Sequence, residues 1–110
     1  MAAKKTDVPQ GTLDLLVLKT LSLEPMHGLG VSRRLEQFTR GRFQVNAGSF
    51  FPALHRMEQE GWIRGEWGRS ENNRRAKFYE LTKAGRKRLA HEEREWRDTV
   101  SAITAVLEAG

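Results

Sequence analysis

Apolar residues cover almost every face of the stretch from Thr12 to Ser22. Leu13, Leu15, Leu16, Val17, Leu18 and Leu21, with Leu23 just beyond, leave little polar surface besides Asp14 and Lys19. Pro9 and Gly11 bar backward extension and Thr12 can cap, so the pattern predicts a first helix here. A turn follows at Glu24 to Gly30, with Pro25, Gly28 and Gly30 as breakers. A second helix is expected from about Gly30 to Phe38, burying Val31, Leu35 and Phe38 and exposing Arg33, Arg34 and Gln37. The third follows Asn46, whose side-chain oxygen suits an N-cap. Phe50, Leu54 and Met57 recur at i, i+4 and i+7, while Ser49, His55, Arg56 and Gln59 face away. Gly61 supplies the stop.

After Gly61 the period changes from that of a helix to that of a strand. Ile63, Gly65 and Trp67 alternate with Trp62, Arg64 and Glu66, and Lys77, Tyr79 and Leu81 alternate with Ala76, Phe78 and Glu80. Two such runs around the loop GRSENNR predict a β-hairpin, its tip basic at Arg69, Arg74 and Arg75. Thr82 then caps a last helix running to about Leu107. In it Leu89, Trp96, Val100, Ile103 and Leu107 form a coiled-coil-like seam.

Three helices followed by a basic-tipped hairpin is the winged helix-turn-helix arrangement, in which the third helix enters the major groove. The expected fold class is therefore α+β, mainly helical. A winged helix DNA-binding domain would span residues 11–81, after a flexible arm over residues 1–10 and before a dimerisation helix over residues 82–110. A helix apolar nearly all round must be covered on more than one side. In so small a domain a second subunit is the natural cover, and the homodimer face is expected to join Leu13, Leu16 and Val17 to Leu89, Trp96, Val100, Ile103 and Leu107.

Charge sharpens this picture. The 110 residues carry 19 Lys and Arg against 14 Asp and Glu, a net +5. The excess is uneven: 17 basic and 9 acidic residues lie up to Ala90, but 2 basic and 5 acidic from His91 onward. A basic body with an acidic tail fits a polyanion binder with a separate interaction segment. Zero cysteines exclude disulfides, thiolate catalysis and Cys-ligated zinc. His27, His55 and His91 lack metal-ligand spacing, no nucleophile–base pairing is recognisable, and neither an enzyme nor a cofactor is expected. No apolar run approaches the roughly 20 residues of a membrane span, and Met1 to Gln10 lacks the apolar core of a signal peptide. The cytoplasm is the expected compartment.

The segments GTLDLLVLKTLSLEPMHGLG, VNAGSFFPALHRMEQEGWI and EWGRSENNRRAKFYELTKAGRKRL together resemble the PadR family of bacterial transcriptional regulators, from Gly11 onward. The Gly-Ser-x-x-Pro-Ala-Leu helix and the Tyr-x-Leu-Thr-x-x-Gly hairpin exit are the distinctive parts. The chain's length resembles the compact branch with a single C-terminal helix. The resemblance implies a winged-helix dimer that binds an operator, usually as a repressor, with Asn46 to Pro52 meeting DNA and the hairpin contributing backbone contacts. Two positions depart from the family pattern. Phe51 stands where Tyr is general, removing a hydroxyl for a phosphate, and Leu29 stands where Tyr is common.

The DNA-binding candidates follow from these placements. Ser49 would reach a phosphate or bond back to Asn46, and Pro52 would stiffen the helix entry. His55 and Arg56 are the candidates to read base edges, or else to touch phosphate. Arg33, Arg34, Arg69, Asn73, Arg74, Arg75 and Lys77 are candidates for the backbone or, at Asn73, for the turn itself. Lys4 and Lys5 would extend that reach. Trp96 is a packing residue of the seam, or a platform for a planar hydrophobic effector shared with its symmetry mate. A different class of reading is a protein-interaction module built on the first and last helices, its basic surface incidental. An RNA binder is disfavoured because the aromatics form no stacking platform.

Overall fold

The computed structural model describes residues 6–9 and 11–110. Helix α1 (Leu13–Leu23) packs Val17, Leu18, Thr20 and Leu21 inward, and Thr20 satisfies its buried hydroxyl by donating to the Leu16 carbonyl at 2.8 Å. Helix α2 (Gly28–Phe38) begins two residues earlier than its breakers suggest, so Gly28, Leu29 and Gly30 form its first turn rather than a loop. His27 makes this possible, because its Nδ1 accepts from the Gly30 N–H at 3.0 Å and caps the helix. Val31 and Leu35 are buried as expected, but Phe38 is exposed at the helix end with Arg34 over its ring.

Helix α3 (Ala47–Gln59) runs from the Asn46 cap, whose Oδ1 accepts from the Gly48 N–H at 2.8 Å, to the turn at Gly61. Gly61 has φ +79°, the left-handed conformation that ends helices and costs glycine least. Strands β4 (Ile63–Arg69) and β5 (Arg75–Leu81) form the hairpin, with Ile63 opposite Leu81, Trp67 opposite Lys77 and Arg69 opposite Arg75. A two-residue strand β2 (Met26–His27) adds to the outer side of β5, giving a sheet of order β2-β5-β4.

Two short segments pair where periodicity offers no signal. Strand β1 (Thr6–Asp7) lies parallel to β3 (Phe43–Gln44). The expected arm over residues 1–10 is thus paired at Thr6–Asp7, whereas Lys4 and Lys5 lie outside the described residues. Two-residue strands are stabilised by their place in the fold, and no pattern in two residues can announce them.

Helix α4 (Lys83–Leu107) is locked to the hairpin exit. The Thr82 hydroxyl accepts from the Gly85 N–H at 3.0 Å and donates to the Gly61 carbonyl at 2.6 Å. Gly85 itself abuts the Trp62 carbonyl so closely that a Cβ would collide with it and with Leu81. The core gathers Val17, Leu18 and Leu21 of α1, Val31 and Leu35 of α2, Phe50, Leu54 and Met57 of α3, and Ile63, Leu81 and Leu89.

This core takes up part of the face expected to form the dimer. Val17 is 0% and Leu89 7% exposed, both spent inside the monomer, and Leu13 and Leu16 pack partly against the same core. The apolar surface of α1 is therefore covered largely in cis, by the first turns of α4 and by its neighbours. What stays uncovered is the far half of α4, where Trp96, Val100, Ile103, Val106 and Leu107 are all exposed, Leu107 at 79%.

Candidate nucleic-acid interface

Helix α3 sorts its side chains by angle. Phe50, Ala53, Leu54 and Met57 are buried. Directly opposite, at spacings of four, three and four, Gly48, Pro52, His55 and Gln59 form an exposed stripe. Gly48 keeps this stripe low at its N-terminal end. Pro52 lies inside the helix and has no N–H for the Gly48 carbonyl, so that acceptor is left open on the outward face. His55 is on this stripe as expected, and Gln59, which the sequence places on the same face, stands one turn further along.

Arg56 does not share that direction. It sits on the flank toward α1, where its Nη2 donates to the Asp14 carboxylate at 2.6 Å. That hydrogen bond raises the guanidinium pKa further above its ordinary value. Arg56, expected with His55 to read base edges or else to touch phosphate, is in the free chain held by an acid 42 positions away. Ser49 is exposed on the same flank, bordering a cleft with Asp14, Pro52, Arg56 and Glu92.

The other flank faces the hairpin. Glu58 accepts from the Lys77 ammonium at 2.8 Å, a contact that raises the Lys77 pKa and fastens β5 to α3. Lys77, expected on phosphate, is thus already paired and serves to fix the hairpin beside the helix. Phe51 projects toward the hairpin too, edge-on to Phe50 and against Gly28.

At the hairpin tip the backbone turns at Asn73, whose φ of +58° is one that Asn tolerates well. Arg69 donates to the Asn73 carbonyl at 3.2 Å, and the Arg75 guanidinium stacks 4.4 Å from the Trp67 ring centroid. Among the described residues Arg69, Arg74 and Arg75 have no carboxylate partner, so their positive charge is available at the tip. Glu71 is the one acid of this loop, and it turns back onto α2. Its carboxylate lies 3.5 Å from His27 Nε2 and 3.7 Å from Arg33 Nη1. A backbone hydrogen bond and then His27 lower the Glu71 pKa, favouring its charged form. Arg34 meets Glu24 at 3.7 Å. Arg33 is thus exposed and paired with the tip, whereas Arg34 is half-buried and paired with the link after α1.

The structure brings Phe51, Arg33, Arg74, Arg75 and Lys77 around one groove between α2, α3 and the hairpin. It also adds Trp67, which the sequence pattern places on the inner hairpin face but does not mark as exposed. The signal was present in the alternation with Ile63 and Gly65: the sheet face turns from core to surface before it reaches Trp67. Among the described residues no helix is long and apolar enough to cross a membrane.

Comparison with known proteins gives this arrangement a context. A family model described as the transcriptional regulator PadR-like family matches residues 17–91. A transcriptional regulator from Clostridium thermocellum has a similar structure, with a TM-score of 0.80, 25% identity, and coverage of 90% of this chain and 96% of that one. A PadR family regulator from Eggerthella lenta shares 27% identity at a TM-score of 0.79, covering 92% of this chain and 86% of its own. A PadR-like regulator from Bacillus cereus shares 26% identity at 0.76, covering 92% and 96%.

Proposed function

The chain belongs to the transcriptional regulator PadR-like family, and from that premise we propose that it is a homodimeric, sequence-specific repressor of transcription. The observation that carries the reading is the exposed α3 stripe of Gly48, Pro52, His55 and Gln59, together with a hairpin tip whose three arginines have no carboxylate partner among the described residues. The stripe is low and polar enough to enter a major groove, while the tip supplies charge for the flanking backbone. His55 and Gln59 are the base readers on this account. Asn46, Ser49 and Phe51 place the helix, and Arg69, Arg74 and Arg75 bind phosphate.

Dimerisation is assigned to the far half of α4. Trp96, Val100, Ile103 and Leu107 make an apolar stripe that one chain does not cover, and an amphipathic helix of this length finds its natural partner in a second copy. Two-fold symmetry then sets an inverted-repeat operator with half-site centres about one DNA turn, or a multiple, apart. A small planar hydrophobic effector would relieve repression from the cleft that Trp96 shares with Leu15 and Glu92, at the junction of α4 and α1. The setting for all of this is the cytoplasm.

The test pairs a gel-shift series on the region upstream of the chain's own coding sequence with light scattering for mass. The proposal expects a dimer that shifts the upstream fragment in preference to a scrambled one and loses affinity steeply with salt. A monomer with only sequence-blind binding would favour the protein-interaction reading instead.

A further inference from the structure

His27 touches three elements at once, and its side chain is only 12% exposed. Its Nδ1 accepts from the Gly30 N–H at 3.0 Å and caps α2. Its Nε2 lies 3.5 Å from the Glu71 carboxylate at the hairpin tip. The ring stands edge-on to Phe78 of β5, with centroids 5.3 Å apart. Both nitrogens are thereby committed, in opposite senses. An N–H is aimed at Nδ1, so that nitrogen carries no proton, while the carboxylate beside Nε2 places the proton there. Only the neutral imidazole in this tautomer serves both neighbours.

The two contacts hold two parts of the fold. Gly28, next in the chain, lies so close to α3 that a Cβ on it would stand 3.1 Å from the Phe51 ring, so the capped turn seats the entry of α3. Glu71 ties the hairpin tip to α2 through His27 and through Arg33 at 3.7 Å. Glu24 and Arg34 border the same cleft and pair with each other, while Arg74, Arg75 and Lys77 border the adjoining groove that His27 also lines. Tyr79 of β5 has its pKa raised by burial, which favours the neutral phenol. A backbone hydrogen bond and then His27 lower the Glu71 pKa, which favours the carboxylate. Histidine is the side chain that changes charge between about pH 5 and 8.

We infer that His27 is a positioning residue for DNA binding: as the neutral imidazole it seats the hairpin tip and the entry of α3, and protonation releases both. This rests on the DNA-binding reading above and adds to it a dependence on acidity. A second proton has only Nδ1 to occupy, where it meets the Gly30 N–H donor to donor. Turning the ring over does not help, because the imidazolium has no acceptor. The cap is therefore lost and the ring leaves Phe78, carrying Nε2 away from a carboxylate it reaches only at 3.5 Å. Glu71 then keeps Arg33 alone, and the tip is less firmly held. Ordering it again falls to the DNA complex, so affinity drops with acid.

The experiment compares the full chain with His27→Asn at about pH 8 and about pH 5.5, the span over which histidine changes charge. Asn caps helices well and does not titrate, so this variant keeps the turn at both values. Without DNA, NMR of the wild type should show the His27 proton on Nε2 at the higher pH. Cross-relaxation between the His27 ring and the Glu71 side chain, and exchange protection of the Gly30 amide, should both fall at the lower pH. In His27→Asn the Gly30 protection should hold. With the labelled upstream fragment, acid should weaken the wild type about three- to tenfold relative to the variant, the worth of one lost cap. Taking that ratio removes the titration of His55, which both chains share. A proton on Nδ1 at the higher pH would overturn the inference. So would Gly30 protection or ring–Glu71 contact that survives acid, or an affinity ratio that does not change with pH. A wild-type chain that binds no duplex at either pH would refute the DNA-binding reading itself, and the DNA-free measurements tell that failure from the others.

Discussion

The Arg56 guanidinium and the Asp14 carboxylate meet at 2.6 Å, binding the last turns of α3 to the first turn of α1. The α3 arginine that chemistry would choose for a guanine edge is thereby occupied in the free chain. An exposed pair of this kind contributes little to stability, on the order of 1 kcal/mol or less. Its consequence lies in competition with DNA. Asp14→Asn should tighten binding to any duplex by about two- to fivefold, the same small energy expressed as affinity. In an Arg56→Ala background the same change should have almost no effect. Weaker binding in Asp14→Asn would mean that Asp14 aims Arg56 at DNA rather than withholding it.

Base reading is assigned to the centre of the α3 stripe. His55→Ala and Gln59→Ala should each change preference at one or two operator positions, by about 1–3 kcal/mol per base pair read. Replacing Arg74 and Arg75 together by Ala should instead weaken binding on matched and mismatched sites alike, with a salt slope lower by about 1.8. Competition assays over a panel of single-base variants separate the two patterns. Equal loss on every site from all four substitutions would remove the assignment.

The hairpin exit makes a stability prediction. Gly85 has no space for a Cβ against the Trp62 carbonyl and Leu81, and the Thr82 cap holds that turn in place. Gly85→Ala should destabilise the domain by about 1–3 kcal/mol through overpacking, despite the better helix propensity of Ala. Gly110→Ala, in open space at the end of the chain, should be neutral. Urea unfolding of the two variants checks the contrast.

The dimer assignment depends on one half of one helix. Ile103 is 52% exposed in the single chain, so Ile103→Asp should leave the winged domain folded. It should yield a monomer by light scattering and weaken operator binding by at least tenfold, as loss of two-site engagement requires. A dimer that persists in this variant would move the interface elsewhere, for which α1 offers only Leu23 as a well-exposed leucine.

Long periodic elements were legible in the chain, and tertiary pairings were not. The caps at Asn46 and Thr82, the α3 apolar face and both hairpin strands follow from local patterns that tertiary structure had no reason to override. Histidine at a helix cap carries no strong local signal, so α2 began earlier than its glycines suggested. The apolar α1 told that cover was needed but not whose: the same leucines are satisfied by the first turns of α4 as by a second chain. The site divides in the same way. Periodicity set His55 outward, but whether Arg56, Lys77 and Arg33 are free depends on Asp14, Glu58 and Glu71. Those acids approach only when segments distant in sequence fold together. Trp67 shows the converse, since an alternating strand predicts its face but not the point at which that face leaves the core.

The central claim is that a dimer places two α3 stripes on one two-fold operator. Chemical footprinting of the upstream region with the full chain tests it most directly. The account predicts a protected inverted repeat whose half-site centres lie about one DNA turn, or a whole multiple, apart. Flanking minor-groove protection should mark the hairpin tips and vanish in the Arg74→Ala, Arg75→Ala double variant. A single unrepeated footprint, or uniform protection that follows no sequence, would contradict it.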